Sequence, residues 1–275
     1  MKGESTKMNI KKKTTSKILI ILVAILTLTI ISAHNKGETV VTNAQALSTK
    51  KIGWGIKRND NHQQPDLGKT NKELLEKNNG IAIGNSVDKN IYLTFDEGYE
   101  AGYTEQILST LKENNVKATF FITAHYLNTQ PDLVKQMIDE GHIVGNHTVN
   151  HKSMPTLSDE QINSEVMELH KSIYEKFGYE MKYMRPPKGE FSERTLSITD
   201  SLGFKTVMWS FAYVDWNDDK QPSKEDAMKK IISNLHNGEI MLLHATSKTN
   251  SEIMGEMVDK IKEEGYEIKS LEEFR

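Results

Sequence analysis

Residues 90–268 alternate between short apolar runs and amphipathic segments with helical spacing. The apolar runs are rich in β-branched and aromatic residues, which is typical of buried strands. We predict seven strands, at residues 91–95, 119–123, 142–145, 183–184, 204–209, 239–243 and 266–268. The helices that separate them are predicted at residues 106–113, 131–140, 158–177, 192–203, 223–235 and 253–264. This alternation predicts an α/β fold, in which a parallel sheet covered by helices forms a distorted (β/α) barrel of about seven strands.

Residues 1–46 have a different pattern, in which four lysines at positions 11–17 precede an apolar run over residues 18–31. The length of that run is typical of a signal-peptide core and short for a membrane span. Ala44-Gln45-Ala46 fits a cleavage site but lies far downstream, so an uncleaved membrane anchor stays an alternative. We therefore expect an extracytoplasmic protein, either secreted or attached to the membrane through this segment.

Residues 47–88 are polar and poorly periodic. We predict an extended segment there, with a short helix at residues 72–77, that packs on a catalytic domain of residues 89–275. Trp54 is expected to anchor this packing rather than to bind a ligand.

Cysteine content and charge exclude two classes of function. The chain has no cysteine, so disulfides and thiolate catalysis are ruled out. Residues 1–46 carry seven lysines and two glutamates, a charge of +5, so the net charge of −3 for the whole chain leaves −8 for the remainder. An acidic body without a basic stripe argues against a nucleic-acid partner.

Two adjacent carboxylates, Asp96 and Glu97, follow the first predicted strand and precede Gly98. Consecutive side chains of a strand point to opposite faces, so the two carboxylates act together only if the strand breaks into a loop here. Glycine permits such a break. At the carboxyl end of a barrel strand the pair predicts a hydrolytic metal site, and an acidic turn facing solvent is the alternative.

A second candidate cluster, His147-Thr148-Val149-Asn150-His151, follows the third predicted strand. Histidines four residues apart on one face of a helical turn can bind one cation. Because both clusters follow strands of a parallel sheet, we expect them at the same end of the barrel. Two imidazoles and one carboxylate leave open metal positions for water and substrate; zinc is the default ion, with other divalent ions as alternatives.

Three further clusters follow predicted strands. Arg185-Pro186-Pro187-Lys188-Gly189 contains a guanidinium that can pair with a carboxylate such as Asp96. The aromatic run at residues 209–216 is typical of a sugar-site wall or of core packing. His244 ends an apolar strand and fits an acid–base pair with a loop carboxylate, whereas His125 is a weaker candidate.

Five segments occur in a fixed order along the chain: Thr94-Phe95-Asp96-Glu97-Gly98, His147-x-x-x-His151, Arg185-Pro186-Pro187-x-Gly189, Asp215-Trp216 and Leu243-His244. Together they resemble the five motifs of the polysaccharide deacetylase (NodB-homology) family, carbohydrate esterase family four. The resemblance covers roughly residues 89–275. Within the family, Trp54-Gly55 and Glu97-Gly98-Tyr99-Glu100 look most like the delta-lactam-forming de-N-acetylases of spore peptidoglycan.

This resemblance implies a distorted (β/α) barrel and metal-assisted removal of N-acetyl groups from an amino sugar. It implies that Asp96 is the general base and that His244 is the general acid. Most members of the family have aspartate where this chain has Glu97, so a looser metal ligand, or a site left partly to the histidines, stays open. The other implied roles are Arg185 holding the base, Asp215 orienting His244, metal ligation by Glu97, His147 and His151, and substrate contact by Trp216, Pro187 and Tyr99.

Export and resemblance together indicate peptidoglycan as the substrate. The delta-lactam branch acts on N-acetylmuramic acid that has lost its stem peptide, which implies a muramoyl-alanine amidase acting upstream. Deacetylation of N-acetylglucosamine in peptidoglycan or chitooligosaccharides is the runner-up, and a non-catalytic wall-binding module is the alternative from a different class. A metalloprotease or amidase has no motif support, because the His-Glu-x-x-His sequence does not occur.

Overall fold

The structure of the protein is a computed structural model that describes residues 47–217 and 219–275. In chain order the strands in these ranges are β1 (Ile52–Gly53), β2 (Asn90–Glu97), β3 (Thr119–Ile122), β4 (Ile143–Asn146), β5 (Tyr183–Met184), β6 (Glu190–Phe191), β7 (Lys205–Thr206), β8 (Phe211–Ala212), β9 (Glu239–His244) and β10 (Glu267–Ile268). The α-helices are α1 (Lys69–Lys77), α2 (Thr104–Glu113), α3 (Ala124–Thr129), α4 (Pro131–Asp139), α5 (Asp159–Phe177), α6 (Glu193–Ser201), α7 (Lys224–Ile232) and α8 (Lys248–Glu263). The signal peptide or anchor predicted at residues 1–46 lies outside the described residues.

Eight strands form one parallel sheet in the order β7-β5-β4-β3-β2-β9-β8, with β10 pairing to β2 beside this path. Strands β7 and β8 are the two ends of this path and do not pair with each other, so the barrel stays open between them. The prediction of a distorted barrel of about seven parallel strands is confirmed. Parallel strands joined by helical crossovers place all their carboxyl ends at one rim.

Strand β2 lies in the middle of the sheet and is buried on both faces. Leu93 and Phe95 belong to the main core between sheet and helices, whereas Tyr92 belongs to a smaller apolar cluster that it shares with Phe121. Because side chains alternate along a strand, Asp96 shares the face of Tyr92 and Glu97 shares the face of Phe95. The strand continues through Glu97, which pairs with Ile122 of β3, and does not break at Asp96.

Residues 47–88 pack along the open side of the sheet. Strand β1 pairs antiparallel with β6, and short bridges join Ile81 to Val207 and Ile83 to Glu239. The indole Nε1 of Trp54 donates a hydrogen bond to the carbonyl of Trp209 at 2.8 Å. These contacts hold the segment against the loops that follow β5 and β7.

Local sequence signals account for most of the helices. Helix α5 begins at a capping box, in which Ser158 and Gln161 each accept a hydrogen bond from the backbone of the other. Four of these strands and helices were not predicted: β1, β6 and β8 are each only two residues long, and α3 begins directly after β3 on the cap residue Thr123. Among the described residues, no helix combines the length and the apolar character that crossing a membrane requires.

Candidate active site

A cavity of about 950 Å³ opens at the carboxyl ends of the strands. Asp96 and His244 both line it, and they occupy paired positions on the neighbouring strands β2 and β9. His147 and His151, from the loop after β4, line the same cavity. The weaker candidate His125 lines the cavity as well, so the fold brings a carboxylate and four imidazoles to one rim, although up to 148 positions separate them in the sequence.

Asp96 is held by a fully buried arginine. Arg185 Nη1 donates to Asp96 Oδ1 at 2.8 Å, and Nη2 donates to Thr94 Oγ1 at 2.9 Å. The Arg185 guanidinium also lies 4.3 Å from the ring centre of Phe121. Burial acts to raise the pKa of Asp96, but the positive charge of Arg185 outweighs it and holds this pKa below its usual value. The carboxylate is therefore ionised at neutral pH, with Oδ1 fixed by Arg185.

The two histidines of the His-x-x-x-His segment meet, but the predicted helical turn is wrong. Residues 147–153 form a loop in which Thr148 and His151 adopt left-handed backbone angles, with φ of 69° and 53°. These angles fold the loop back, so that the ring centres of His147 and His151 lie 4.8 Å apart. The four-residue spacing thus predicts correctly that the two imidazoles lie together, but the helical backbone that it suggests is not formed.

The chemistry of these side chains fits a divalent cation. His147 Nδ1 donates a hydrogen bond to the carbonyl of Arg185 at 2.8 Å, so in the neutral ring Nε2 carries a lone pair. The Nε2 atom lies 3.5 Å from Asp96 Oδ2. Burial lowers the pKa of His147, and burial together with His147 lowers that of His151 to about 4, so both rings are neutral. A lone pair that faces a carboxylate oxygen leaves a gap suited to a cation. No group of three His, Cys, Asp or Glu side chains within residues 47–217 and 219–275 is already arranged as a metal site.

Glu97 is not placed beside these imidazoles. Its side chain is fully buried on the helix-facing side of β2, and neither carboxylate oxygen has a hydrogen-bond partner. Burial, followed by the charges of Glu100 and Asp96, raises its pKa well above the usual value. The structure does not bring Glu97 to the imidazoles with which it was predicted to bind a metal, because β2 remains paired with β3 through this residue and directs its side chain away from that of Asp96. Metal ligation by Glu97 stays a prediction.

His244 is positioned by a buried carboxylate. Asp215 Oδ1 lies 2.8 Å from His244 Nδ1, while Asp215 Oδ2 accepts from the backbone N–H of His244 at 2.8 Å and from Asn250 Nδ2 at 2.7 Å. Burial acts to lower the pKa of His244, but the hydrogen bond and charge of Asp215 outweigh it and raise this pKa above the usual value. At a pH below this raised pKa, the ring carries a proton on Nε2 as well as on Nδ1.

Aromatic side chains form part of the cavity wall. Trp216, 52% exposed, packs edge-on at 5.5 Å from the ring of His244, and Tyr99 is 44% exposed. Pro187, predicted to contact substrate, is instead buried behind the wall, because the turn that it begins presents Lys188 and Gly189 to the cavity. Of the predicted aromatic wall at residues 209–216, only Trp209 and Trp216 line the cavity.

Two residues that support the site were not identified as candidates from the sequence. Thr94 Oγ1 accepts a hydrogen bond from Arg185 Nη2, and Asn250 Nδ2 donates one to Asp215 Oδ2. Asn250 lies three residues after the helix-capping Ser247, where asparagine is ordinary, so nothing in the local pattern marks it.

Comparison with known proteins agrees with this arrangement. The family profile described as polysaccharide deacetylase matches residues 83–207. The chain is 43% identical over 231 residues to the peptidoglycan-N-acetylmuramic acid deacetylase PdaA of Bacillus subtilis, covering 84% of this chain and 88% of that one. It is also 46% identical over 229 residues to an uncharacterized 30.6 kDa protein of Geobacillus stearothermophilus, covering 83% and 86% of the two chains. The structure of B. subtilis PdaA, a family 4 carbohydrate esterase, superposes with a TM-score of 0.81 at 42% identity, covering 83% of this chain and 98% of that one.

Proposed function

Because the chain belongs to the polysaccharide deacetylase family, we propose that it hydrolyses the N-acetyl amide of N-acetylmuramic acid in peptidoglycan. One observation carries the proposal: Asp96 and His244 sit at paired positions on β2 and β9 and face one cavity beside two neutral imidazoles. The relative with 43% identity is named for this substrate. A pure wall-binding module would need neither residue.

Hydrolysis of an amide needs an activated water and a protonated leaving amine. Asp96 accepts the proton of the water through Oδ2, while Arg185 keeps the carboxylate ionised and aimed by binding Oδ1. His244 donates a proton from Nε2 to the sugar nitrogen as the carbon–nitrogen bond breaks, and Asp215 fixes its ring through Nδ1. Acetate and the free amino sugar are the products.

Deacetylases of this family are metal-dependent. We propose that His147 and His151 hold the ion in this chain, with Asp96 Oδ2 beside them, and that the ion is zinc. A bound divalent cation polarises the acetyl carbonyl and lowers the pKa of water. The hydrogen bond from His147 Nδ1 to the carbonyl of Arg185 fixes the tautomer that leaves Nε2 free to bind it.

Replacing His147 with alanine is expected to weaken zinc binding at least about tenfold, because one of two imidazole ligands is lost. Replacing Glu97 with glutamine, which is nearly isosteric, is expected to leave zinc affinity within about twofold, because this side chain points to the helices. Isothermal titration calorimetry of zinc into the metal-free proteins measures both. A large loss of affinity in the glutamine variant would return Glu97 to the ligand set.

Replacing Asp215 with asparagine is expected to shift the alkaline limb of the kcat–pH profile to lower pH. His244 has a raised pKa, so its acidic form persists above the usual value and is lost as pH rises through the raised one. Without the charge of Asp215, His244 loses its proton at a lower pH. Acetate release across a pH series measures the shift. Asp259→Asn, on the exposed surface of α8, is the matched control, and an unchanged limb in Asp215→Asn would mean that another group sets it.

We further propose that the substrate is N-acetylmuramic acid whose stem peptide an amidase has removed, and that the freed amine then condenses with the lactyl carboxyl, with loss of water, to give muramic delta-lactam in spore cortex. Peptidoglycan lies outside the cytoplasmic membrane, so we place the enzyme there, secreted or anchored through residues 1–46.

The test of the substrate incubates the zinc-loaded protein with peptide-stripped and peptide-bearing peptidoglycan, and with chitooligosaccharides, and analyses the products by mass spectrometry. Acetate loss from peptide-free muramic acid is expected, whereas loss confined to N-acetylglucosamine residues would make the runner-up correct.

A further inference from the structure

Lys188 places an ammonium group on the wall of the catalytic cavity. Of the described residues that line this cavity, it is the only lysine or arginine. Its side chain is exposed and forms no hydrogen bond or salt bridge with the rest of the described chain. The nearby carboxylate of Glu190 is already engaged by Lys51 Nζ at 2.9 Å. The proposed mechanism gives this cation no role, so it is available to a ligand.

The backbone holds Lys188 in a conformation that lysine rarely adopts. Its φ of 61° and ψ of 10° lie in the left-handed region, where glycine is the favoured residue. The turn is fixed on both sides. Pro187 precedes Lys188, and the Gly189 carbonyl accepts a hydrogen bond from the N–H of Trp54 at 2.8 Å. A side chain retained in strained backbone at the edge of a site indicates a use for that side chain.

The neighbours of Lys188 locate it relative to the reacting amide. Lys188 lies close enough to His151 for its charge to contribute to the lowered pKa of that ring, and His151 belongs to the proposed metal-binding pair. The charge of Asp96 is balanced by Arg185. An anionic group placed next to the acetyl group of a bound substrate therefore meets, on this side of the cavity, a cation that forms no salt bridge within the described chain, although the carboxylate of Glu190 lies near enough to feel its charge.

N-acetylmuramic acid carries such a group. It differs from N-acetylglucosamine by a lactyl ether on the oxygen of C3, next to the C2 that bears the N-acetyl group. When the stem peptide is absent, the lactyl group ends in a carboxylate, which must then lie within a few ångströms of the reacting amide. When the peptide is present, the same carbon forms a neutral amide.

We propose that Lys188 binds the free lactyl carboxylate of N-acetylmuramic acid and so selects peptide-free muramic acid over both N-acetylglucosamine and peptide-bearing muramic acid. This inference rests on the proposed function and names the residue that sets its specificity. An ammonium–carboxylate hydrogen bond is among the stronger polar contacts, since both partners are charged. Arginine can replace lysine at this position because it keeps the charge.

The test crosses two protein forms with two substrates. Wild-type and Lys188→Gln proteins, both loaded with zinc, act on peptide-stripped glycan with free lactyl carboxylates and on the same glycan converted to methyl esters. With the free acid, Lys188→Gln is expected to lose about tenfold or more in kcat/KM, mainly through KM. With the ester the two proteins are expected to agree within about twofold. Lys188→Arg should recover most of the loss, and Lys171→Gln on the outer surface of α5 is the matched control.

Each result decides one question. An equal loss on acid and ester would mean that Lys188 supports the turn rather than the carboxylate, and would overturn the inference. An unchanged Lys188→Gln protein on the free acid would overturn it as well, with the proposed function intact. Failure of the wild-type protein to release acetate from either glycan would overturn the proposed function itself and this inference with it. Thermal unfolding of Lys188→Gln shows whether the variant is folded.

Discussion

Replacing His244 with glutamine is expected to lower kcat for acetate release by about 10²–10⁴-fold, while KM changes by no more than a few-fold. His244 is the proton donor that faces the cavity from β9, and its Nδ1 is bound by Asp215 at 2.8 Å. Glutamine can fill part of the space and make hydrogen bonds, but it cannot deliver a proton to a departing amine. Steady-state kinetics on peptide-stripped peptidoglycan measure the effect.

A matched control separates this loss from a general effect of removing an imidazole. His62→Gln changes an exposed histidine that contacts the carbonyl of Leu235 and does not line the cavity. That variant is expected to keep wild-type kinetics. If His244→Gln also kept its turnover, the leaving amine would have to take its proton from another group, and the assignment of the general acid would be wrong.

The order of strands and helices could be predicted because short apolar runs alternate with segments of helical spacing along the chain. The residues at which the strands end could not be predicted in the same way. Strand β2 was expected to end at Phe95, since two carboxylates and a glycine follow. In the structure, pairing with β9 extends it to Asp96 and pairing with β3 extends it to Glu97. That difference of two residues decides on which face of the sheet each carboxylate lies, and so separates Glu97 from the imidazoles that it was predicted to join.

The histidine pair shows a second limit. Spacing alone indicates that His147 and His151 can meet, and helical periodicity is the simplest way to achieve it. Tertiary contacts impose a different backbone: the side chain of Asn146 accepts from the N–H of Thr148, and the carbonyl of Thr148 accepts from the N–H of Ala124. These partners come from β4 and α3. No local pattern around His147 reveals the second of them.

Thr94 and Asn250, which support the site, are even harder to predict from the sequence. Asn250 and Asp215 are 35 positions apart, and Thr94 and Arg185 are 91 apart. Each supporting residue is small and polar, and each lies in an element whose own pattern explains it fully. Family resemblance implied roles for the buried residues Arg185 and Asp215 as well as for residues that face the cavity, whereas the partners Thr94 and Asn250 depend on which elements become neighbours.

Replacing Arg185 with methionine is expected to lower the free energy of unfolding at neutral pH by about 3–5 kcal/mol and to abolish acetate release. The guanidinium is completely buried, and it is the cation that pairs with Asp96 at 2.8 Å. Methionine fills much of the volume, so the main cost is a buried carboxylate left without compensation. Urea denaturation followed by circular dichroism measures the change.

The double variant Asp96→Asn/Arg185→Met tests this cause directly. Removing the carboxylate removes the uncompensated charge, so the double variant is expected to be more stable than Arg185→Met alone although it also lacks activity. In the wild-type protein the pKa of Asp96 is lowered by Arg185, so the ion pair stabilises the fold above the unfolded-state pKa and is lost as pH falls through the lower folded-state value. Without Arg185, burial raises the folded-state pKa instead. The stability deficit of Arg185→Met should therefore shrink on acidification, and a deficit independent of pH would attribute it to lost packing against Phe121 rather than to charge.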